Sequence, residues 1–372
     1  MKLSTSKTEL QTALQKLSKA TPTRSTLPIL SSVLFEVKEE GVLLRSTDLE
    51  ITIITNLPAS IEVAGSSALP LQTLLNITSE LPDKTRIEIS SDPENKVKIK
   101  TDLGVYDIMA KPADEFPNTP EVDNRKSIGI SSDSLNDLIK KTLFAVSKDE
   151  LKPALTGVLF RFGEKEITSV STDGHRLVRY SKNDHNATEF KGDVIIPRKF
   201  LGLLSAVLNP ETEIKLWVGE NHMTATHGED TYFTRIIDER FPDFESVIPK
   251  DNDKNLVVER EDLLSAVKRV SIFSNRSTQQ IALRLTSEKI QITTEDPEKS
   301  SRAKEEILGS FSGDELTIGY NATYLKDVLS NVTGKELTIK LKTSISAALF
   351  IPKEQDENAS LTMLLMPIRL ND

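Results

Sequence analysis

The stretch Val170–Leu177, Val-Ser-Thr-Asp-Gly-His-Arg-Leu, reads as two strand-like runs meeting at an Asp-Gly turn. Ile167, Val170, Leu177 and Val178 flank it, and Asp173-Gly174 supplies the positive-φ step that tight hairpins need. An isolated Asp-Gly would say no more than that. Two relatives in the same chain say more: Leu44-Arg-Ser-Thr-Asp-Leu earlier and Ile292-Thr-Thr-Glu-Asp-Pro later. Thr47 and Thr172 are 125 residues apart, and Thr172 and Thr294 are 122 apart. Three units of 124 residues fill the 372-residue chain.

Other landmarks keep the same period. Each unit opens on an amphipathic helix pattern, with Leu10, Leu135 and Leu263 spaced 125 and 128 residues apart. In the first, Leu10, Ala13, Leu14 and Leu17 fall on one helical face. A second helix pattern lies midway in each unit, at Leu71–Glu80, Arg198–Leu208 and Ala322–Val332. Pro70, Pro197 and Asn321 stand at their starts, where Pro suits an early helix position and Asn suits a cap. Phe116-Pro117 recurs as Phe241-Pro242, each marking the exit from a unit. Between the helices, runs such as Arg86–Ser90 and Glu336–Leu341 alternate apolar with polar, the mark of a sheet wet on one face. The expectation is an α+β fold of three repeated domains, each with two helices packed on antiparallel sheets. The domains should span residues 1–122, 127–249 and 254–372, with polar, apolar-poor joints near Pro120–Lys126 and Lys250–Lys254.

Composition narrows the function. With no cysteine, the chain has no disulfide framework, thiolate metal site or cysteine nucleophile. The N-terminal Met-Lys-Leu-Ser-Thr-Ser-Lys lacks the apolar core of a secretory signal, and no run approaches the ~20 apolar residues of a membrane span. A cytoplasmic protein without a membrane partner is expected. The net charge of −9 argues at first sight against a nucleic-acid partner, but the six helix patterns together carry +2 and the remainder −11. Six helices gathered on one surface would leave it neutral to basic, able to touch duplex phosphates without reading bases; solvated helix faces account for the same count. Catalysis would have to use the Asp173-x-His175 pair, as metal ligands or as acid and base. No Gly-rich phosphate loop, Walker pattern or Gly-x-Ser-x-Gly element accompanies it, so neither a catalytic residue nor a cofactor is expected. A peptide-binding scaffold of three repeats, without a basic lining, is the remaining alternative.

The motifs Arg24-Ser-Thr-Leu-Pro-Ile-Leu, Ser46-Thr-Asp-Leu-Glu, Thr172-Asp-Gly-His-Arg-Leu, Ile196-Pro-Arg-Lys, Arg240-Phe-Pro-Asp-Phe and Met366-Pro-Ile-Arg-Leu occur in this order. In this the whole chain resembles the bacterial sliding clamp family, the beta subunit of the replicative DNA polymerase (DNA polymerase III holoenzyme). The resemblance implies a head-to-tail homodimeric ring around duplex DNA that confers processivity. Inner-surface candidates are Arg24, Lys148, Lys152, Arg198, Lys199 and Lys268. Related clamps carry polar and aromatic residues before the position of Leu155, where this chain has Pro153-Ala154.

The family also binds short linear motifs of its partners in a cleft between the middle and last domains. Those implied partners are a clamp loader, replicative and translesion polymerases, mismatch-repair proteins and ligase. The matching middle-domain positions are Leu155, Thr172, Gly174, His175, Arg176, Leu177, Pro242 and Val247. Those of the last domain are Asn321, Tyr324, Ser346, Leu364, Met366, Pro367, Ile368, Arg369 and Leu370. Leu, Val, Met and Pro suit an apolar slot, and Arg offers donors to a peptide carbonyl or carboxylate. Without the resemblance, Leu364–Ile368 reads as an edge strand. Asn371-Asp372 extend past the usual end of the family, and Glu245-Ser246 replace a more basic pair. For the subunit interface the resemblance implies Ile272 and Phe273 as apolar contacts and Glu298, Glu305 and Glu306 as an acidic segment, with Lys98 and Lys100 as counter-charges by sign.

Overall fold

The computed structural model of the chain describes residues 1–22, 24–119, 122, 125–183 and 189–370. His185, the tail residues Asn371-Asp372 and much of the expected joint near Pro120–Lys126 lie outside the described residues. The chain forms two compact units, Met1–Ser132 with Val207–Ile236, and Asp133–Ala206 with Ile237–Asp372.

Among the described residues six α-helices stand where the periodicity puts them: α1 (Lys7–Leu17), α2 (Leu71–Glu80), α3 (Ser132–Thr142), α4 (Arg198–Val207), α5 (Arg260–Ser271) and α6 (Ala322–Asn331). Local chemistry fixes their starts. Ser6 and Glu9 form a reciprocal capping box at α1, and the Asn321 side chain accepts from the Thr323 and Tyr324 amides at α6. Pro70 sits at the N-cap itself, one residue before the first turn of α2. The expected apolar face of α1, Leu10, Ala13, Leu14 and Leu17, is buried.

The first unit holds sheets of five and eight strands, the second sheets of nine and four. Every described ladder is antiparallel. The repeat is visible at the level of single hydrogen bonds. Ser32 faces Pro70, Gly157 faces Pro197 and Gln280 faces Asn321 in corresponding ladders. Two residues before each of those partners lies Ala68, Ile195 or Gly319. The backbone closing each repeat returns to that residue, with the amides of Lys111, Ile237 and Ile368 donating to the three carbonyls at 2.9, 3.0 and 2.9 Å. The hairpin turns also agree, each with one left-handed residue: Leu49 at φ 77°, Gly174 at 91° and Ser300 at 51°.

Two expectations change. Leu159 faces Val170 and Ala282 faces Thr293, so Glu295 and not Thr294 corresponds to Thr172. Nor is Leu364–Ile368 an edge strand. The strand Ala359–Leu365 lies inside the nine-stranded sheet between Arg176–Lys182 and Ala348–Pro352, and Met366–Leu370 leaves the ladder beyond it. The wet-face pattern gave no sign of a neighbour about 180 residues away in sequence.

Both sheets that cross a repeat boundary do so through the same pair of positions. In the first unit Thr52 faces Phe233, and in the second Leu177 faces Leu364. The third instance of that pair would join Ser301–Leu308 to Val105–Met109. These are the end strands of the four- and five-stranded sheets.

Candidate functional site

The Val170–Leu177 hairpin is a corner closed by its own side chains. Thr172 Oγ1 donates to the Arg176 carbonyl at 2.6 Å and accepts from the Gly174 amide at 3.1 Å. Asp173 Oδ1 accepts from the His175 and Arg176 amides at 3.0 and 3.1 Å. Asp173 is therefore a turn-former, which removes it as a metal ligand or general base. The exposed imidazole of His175 stacks on Tyr324, with ring centroids 5.4 Å apart. The Met366 amide donates to the His175 carbonyl at 2.8 Å, tying the C-terminal segment to the same corner.

Arg176 differs from the role first given to it. Its side chain is only 8% exposed. Nε donates to Asp173 at 3.1 Å, Nη1 to Asp327 at 2.5 Å and Nη2 to the Phe144 carbonyl at 3.0 Å. The guanidinium also lies between the rings of Phe144 and Tyr324, at 5.2 and 4.9 Å. With Nε, Nη1 and Nη2 each bonded inside the chain, the Arg176 guanidinium braces this corner. Arg369 is exposed.

The candidate slot beside this corner would rest on an apolar core. Leu177 and Leu364 belong to one cluster with Leu159, Val170, Ile195, Phe244 and Leu349, and Leu155 is buried on the short helical turn Pro153–Leu155. Pro242, Val247 and Met366 are exposed around it, and Pro367, Ile368, Leu370 and Ser346 are half-buried. Asn321 is held as the cap of α6. An apolar floor with an exposed, repackable Met at its rim suits capture of apolar side chains from a short segment.

The tail that forms one wall leaves no room beneath it. A Cβ on Gly319 would meet Ile368 O at 2.8 Å and Leu370 Cδ2 at 2.6 Å. Gly319→Val should lift Met366–Leu370 off the sheet and weaken partner-peptide binding roughly tenfold, a loss of about 1.4 kcal/mol. Unchanged affinity by titration calorimetry would show that the tail is not a wall of the slot.

Sequence reasoning missed the braces. Arg161 donates to Asp193 at 2.9 and 3.1 Å and to Glu245 at 3.1 Å, and lies 5.1 Å above the Phe244 ring. Glu245, noted only as a substitution at the rim, thus anchors the loop carrying Pro242 and Val247. Asp327 was missed as well. It follows Tyr324 by one turn of α6, but no local pattern reveals a partner 151 residues away.

Lys148 and Lys152 share a cleft of about 420 Å³ with His175, Arg176 and Tyr324, so the second unit places two DNA-surface candidates beside the peptide corner. Arg198 and Lys199 open α4, and Lys268 lies in the last turn of α5; all three are exposed, as is Arg24 in the first unit. Among the interface candidates, Ile272 is 77% and Phe273 44% exposed. They follow α5 next to the end strand Ser301–Leu308, where Ser301 Oγ donates to the Phe273 carbonyl. Glu305 receives two donors from Arg269 at 2.8 and 2.7 Å, and Glu306 accepts from Gln291 at 3.0 Å. Glu298 lines a separate polar groove. Lys98 and Lys100 lie one strand inside the first-domain edge, facing Asp107 and Val105.

Comparison with known proteins settles the family. Models of the N-terminal, central and C-terminal domains of the DNA polymerase III beta subunit match residues 1–120, 129–243 and 245–369. The chain belongs to the DNA polymerase III beta subunit family. The beta sliding clamp of Pseudomonas putida is 32% identical over 352 residues, covering 93% of this chain and 94% of the relative. That of Bacillus subtilis is 27% identical, covering 99% and 100%. The crystal structure of the Pseudomonas aeruginosa beta subunit superposes with a TM-score of 0.93 at 30% identity, covering 99% of this chain and all of the other. The Bacillus subtilis sliding clamp does so with 0.93 at 27%, covering both chains fully. The fold is the three-domain clamp fold, and the chain is a non-catalytic processivity subunit of DNA replication, working with DNA and polymerase. That membership displaces both the catalytic and the peptide-only scaffold readings. Among the described residues no helix is long and apolar enough to cross a membrane.

Proposed function

We propose that two copies of this sliding clamp close head to tail into a ring around duplex DNA. One observation carries the reading. Two of three equivalent sheet junctions are made within the chain, and the strands for the third, Val105–Met109 and Ser301–Leu308, are end strands. A second copy supplies the missing partner to each, hiding edges that would otherwise invite other pairings. Exposed Ile272 and Phe273 beside Ser301–Leu308 support an apolar seal there.

Arg24, Lys148, Lys152, Arg198, Lys199 and Lys268 are proposed to meet phosphates weakly, so that the ring slides. Arg198 stands in the first turn of α4, where the helix dipole disfavours a cation by roughly 0.3–1 kcal/mol. Helix stability does not put it there, which supports an outside partner. The cleft built on Leu177, Leu364 and Met366 is proposed to take short linear motifs of the clamp loader, of replicative and translesion polymerases, of mismatch-repair proteins and of ligase. Rebinding of a tethered polymerase then becomes intramolecular. A Pseudomonas aeruginosa sliding clamp has been crystallised with griselimycin, and the same cleft reading makes that compound a probe here. The three domains are proposed to span residues 1–122, 127–249 and 254–372, in a cytoplasmic protein.

The test is retention on circular duplex after loading. The protein should stay on the closed circle and run off once the circle is cut. Arg24→Glu with Arg198→Glu should shorten retention at least tenfold and leave griselimycin binding unchanged. Equal retention on cut and closed DNA would overturn the ring.

A further inference from the structure

We propose that the first domain carries a second copy of the partner slot and that Arg45 keeps it shut. The inference rests on the cleft reading above. The ladders fix which residues correspond. Leu159 faces Ile195 and Val170 on its two sides, and Leu34 likewise faces Ala68 and Arg45. Thr172 faces Leu177 and Thr47 faces Thr52, while Leu177 faces Leu364 and Thr52 faces Phe233. The second copy therefore has the buried residues Val170, Leu177 and Leu364 beneath the proposed slot where the first copy has Arg45, Thr52 and Phe233.

Most of the apolar frame survives in the first copy. Ile29, Leu30, Leu34, Ala68 and Phe116 form one buried cluster. Within it stands a cation. Arg45 is only 7% exposed, and its guanidinium carbon lies 5.5 Å from the centre of the Phe116 ring. Nη1 donates to Thr119 Oγ1. Nε is 4.0 Å from Glu36 and is buried without a hydrogen-bond partner. An unmade donor in apolar surroundings costs stability. The strand position does not itself require a cation, since Val170 occupies the matching place in the second copy. What the guanidinium does is fill the slot and put charge where an apolar side chain would enter, the way a surface rejects a wrong ligand. The third copy is shut off differently: Ala282, Thr293 and Arg302 replace Leu159, Val170 and Leu177, and the groove of about 850 Å³ there is lined by polar side chains such as Gln280 and Glu295. Only the second of the three frames carries apolar side chains at all three of these positions.

The ligand class is the same apolar segment that the open cleft takes, and griselimycin serves as probe in titration calorimetry on the full chain. Wild type should bind one per chain, and Arg45→Val with Thr52→Leu should bind two. One site on both proteins would overturn the plug and leave the cleft reading standing. No binding by wild type would overturn the cleft reading and this proposal with it. Circular dichroism and thermal melting check that the variant folds, and Arg45→Met, which keeps side-chain length, replaces it if it does not. The reciprocal change is independent of the first domain. Val170→Arg moves the plug into the open slot and should reduce binding from one site to none, so a folded Val170→Arg protein that still binds one griselimycin would also overturn the proposal.

Discussion

Asp107→Arg should convert the dimer to monomers at micromolar concentration, and adding Arg302→Asp should bring the dimer back. The register follows from the two junctions already present in the chain. Leu177 faces Leu364 four residues before Ile368, which bridges Gly319. Phe233 likewise stands four residues before Ile237, and Asp107 four before Lys111. On the other side, Arg302 faces Glu295 as Leu177 faces Thr172. The third junction thus sets Asp107 of one copy opposite Arg302 of the other, Tyr106 opposite Ala303 and Val105 opposite Lys304. Asp107 also faces Lys98 within its own sheet. A row of alternating charge, Lys98, Asp107, Arg302 and Glu295, would cross the seam. Directly opposed charges in antiparallel strands matter by up to about 1 kcal/mol each, and reversal removes an attraction and adds a repulsion. A ring has two seams, so the total is roughly 2–4 kcal/mol, or about 30- to 1,000-fold in the dimer dissociation constant. Sedimentation velocity over a concentration series reads it directly. A monomer–dimer equilibrium unmoved by Asp107→Arg would mean that these strands do not meet in this register.

How much of this was legible beforehand depended on the range of the interaction. The helices were legible because Leu10, Ala13, Leu14 and Leu17 repeat with helical period, and because Asn321 caps within three residues of itself. The threefold repeat was legible because Pro70, Pro197 and Asn321 keep their spacing; the ladders facing Ser32, Gly157 and Gln280 show why, since each ends the strand that feeds the second helix. The family motifs named the candidate cleft residues, and the structure brings Thr172, His175, Arg176, Tyr324 and Met366 to one corner. What stayed hidden was long-range and charged. Arg176 looked like a hand held out to a ligand because nothing near it in sequence except Asp173 could hold it. Its other acceptors, the Phe144 carbonyl and Asp327, lie 32 and 151 residues away. Arg45 looked like any polar strand residue until its ladder partner Leu34 and the ring of Phe116 placed it in an apolar frame. The one-residue slip between Thr294 and Glu295 has the same origin, since chemical similarity of Thr to Thr outweighed a register that only strand partners could fix.

Arg176→Ala should cost about 2–4 kcal/mol of stability, and partner-peptide affinity should fall with it. Breaking a buried pair by removing one member commonly costs about 3–5 kcal/mol, because the partner charge is left stranded. Here the cost is shared unevenly. Asp173 is 14% exposed and loses its guanidinium while still holding two backbone amides. Asp327 is 42% exposed, so water takes over part of what it loses. The Phe144 carbonyl loses its Arg176 donor, and the rings of Phe144 and Tyr324 lose the plane packed between them. Tyr324 is also the plate on which His175 stacks, so the corner that ties down Met366 loosens. Arg176→Lys keeps the charge but offers a point donor in place of a fork and should recover less than half of the loss. Urea denaturation and griselimycin titration on the same samples separate the two roles open to this residue. If stability and affinity fall together and Lys rescues both in part, Arg176 holds the cleft in shape. If Arg176→Ala melts like wild type and only binding is lost, the guanidinium touches the ligand directly and the positioning role is wrong.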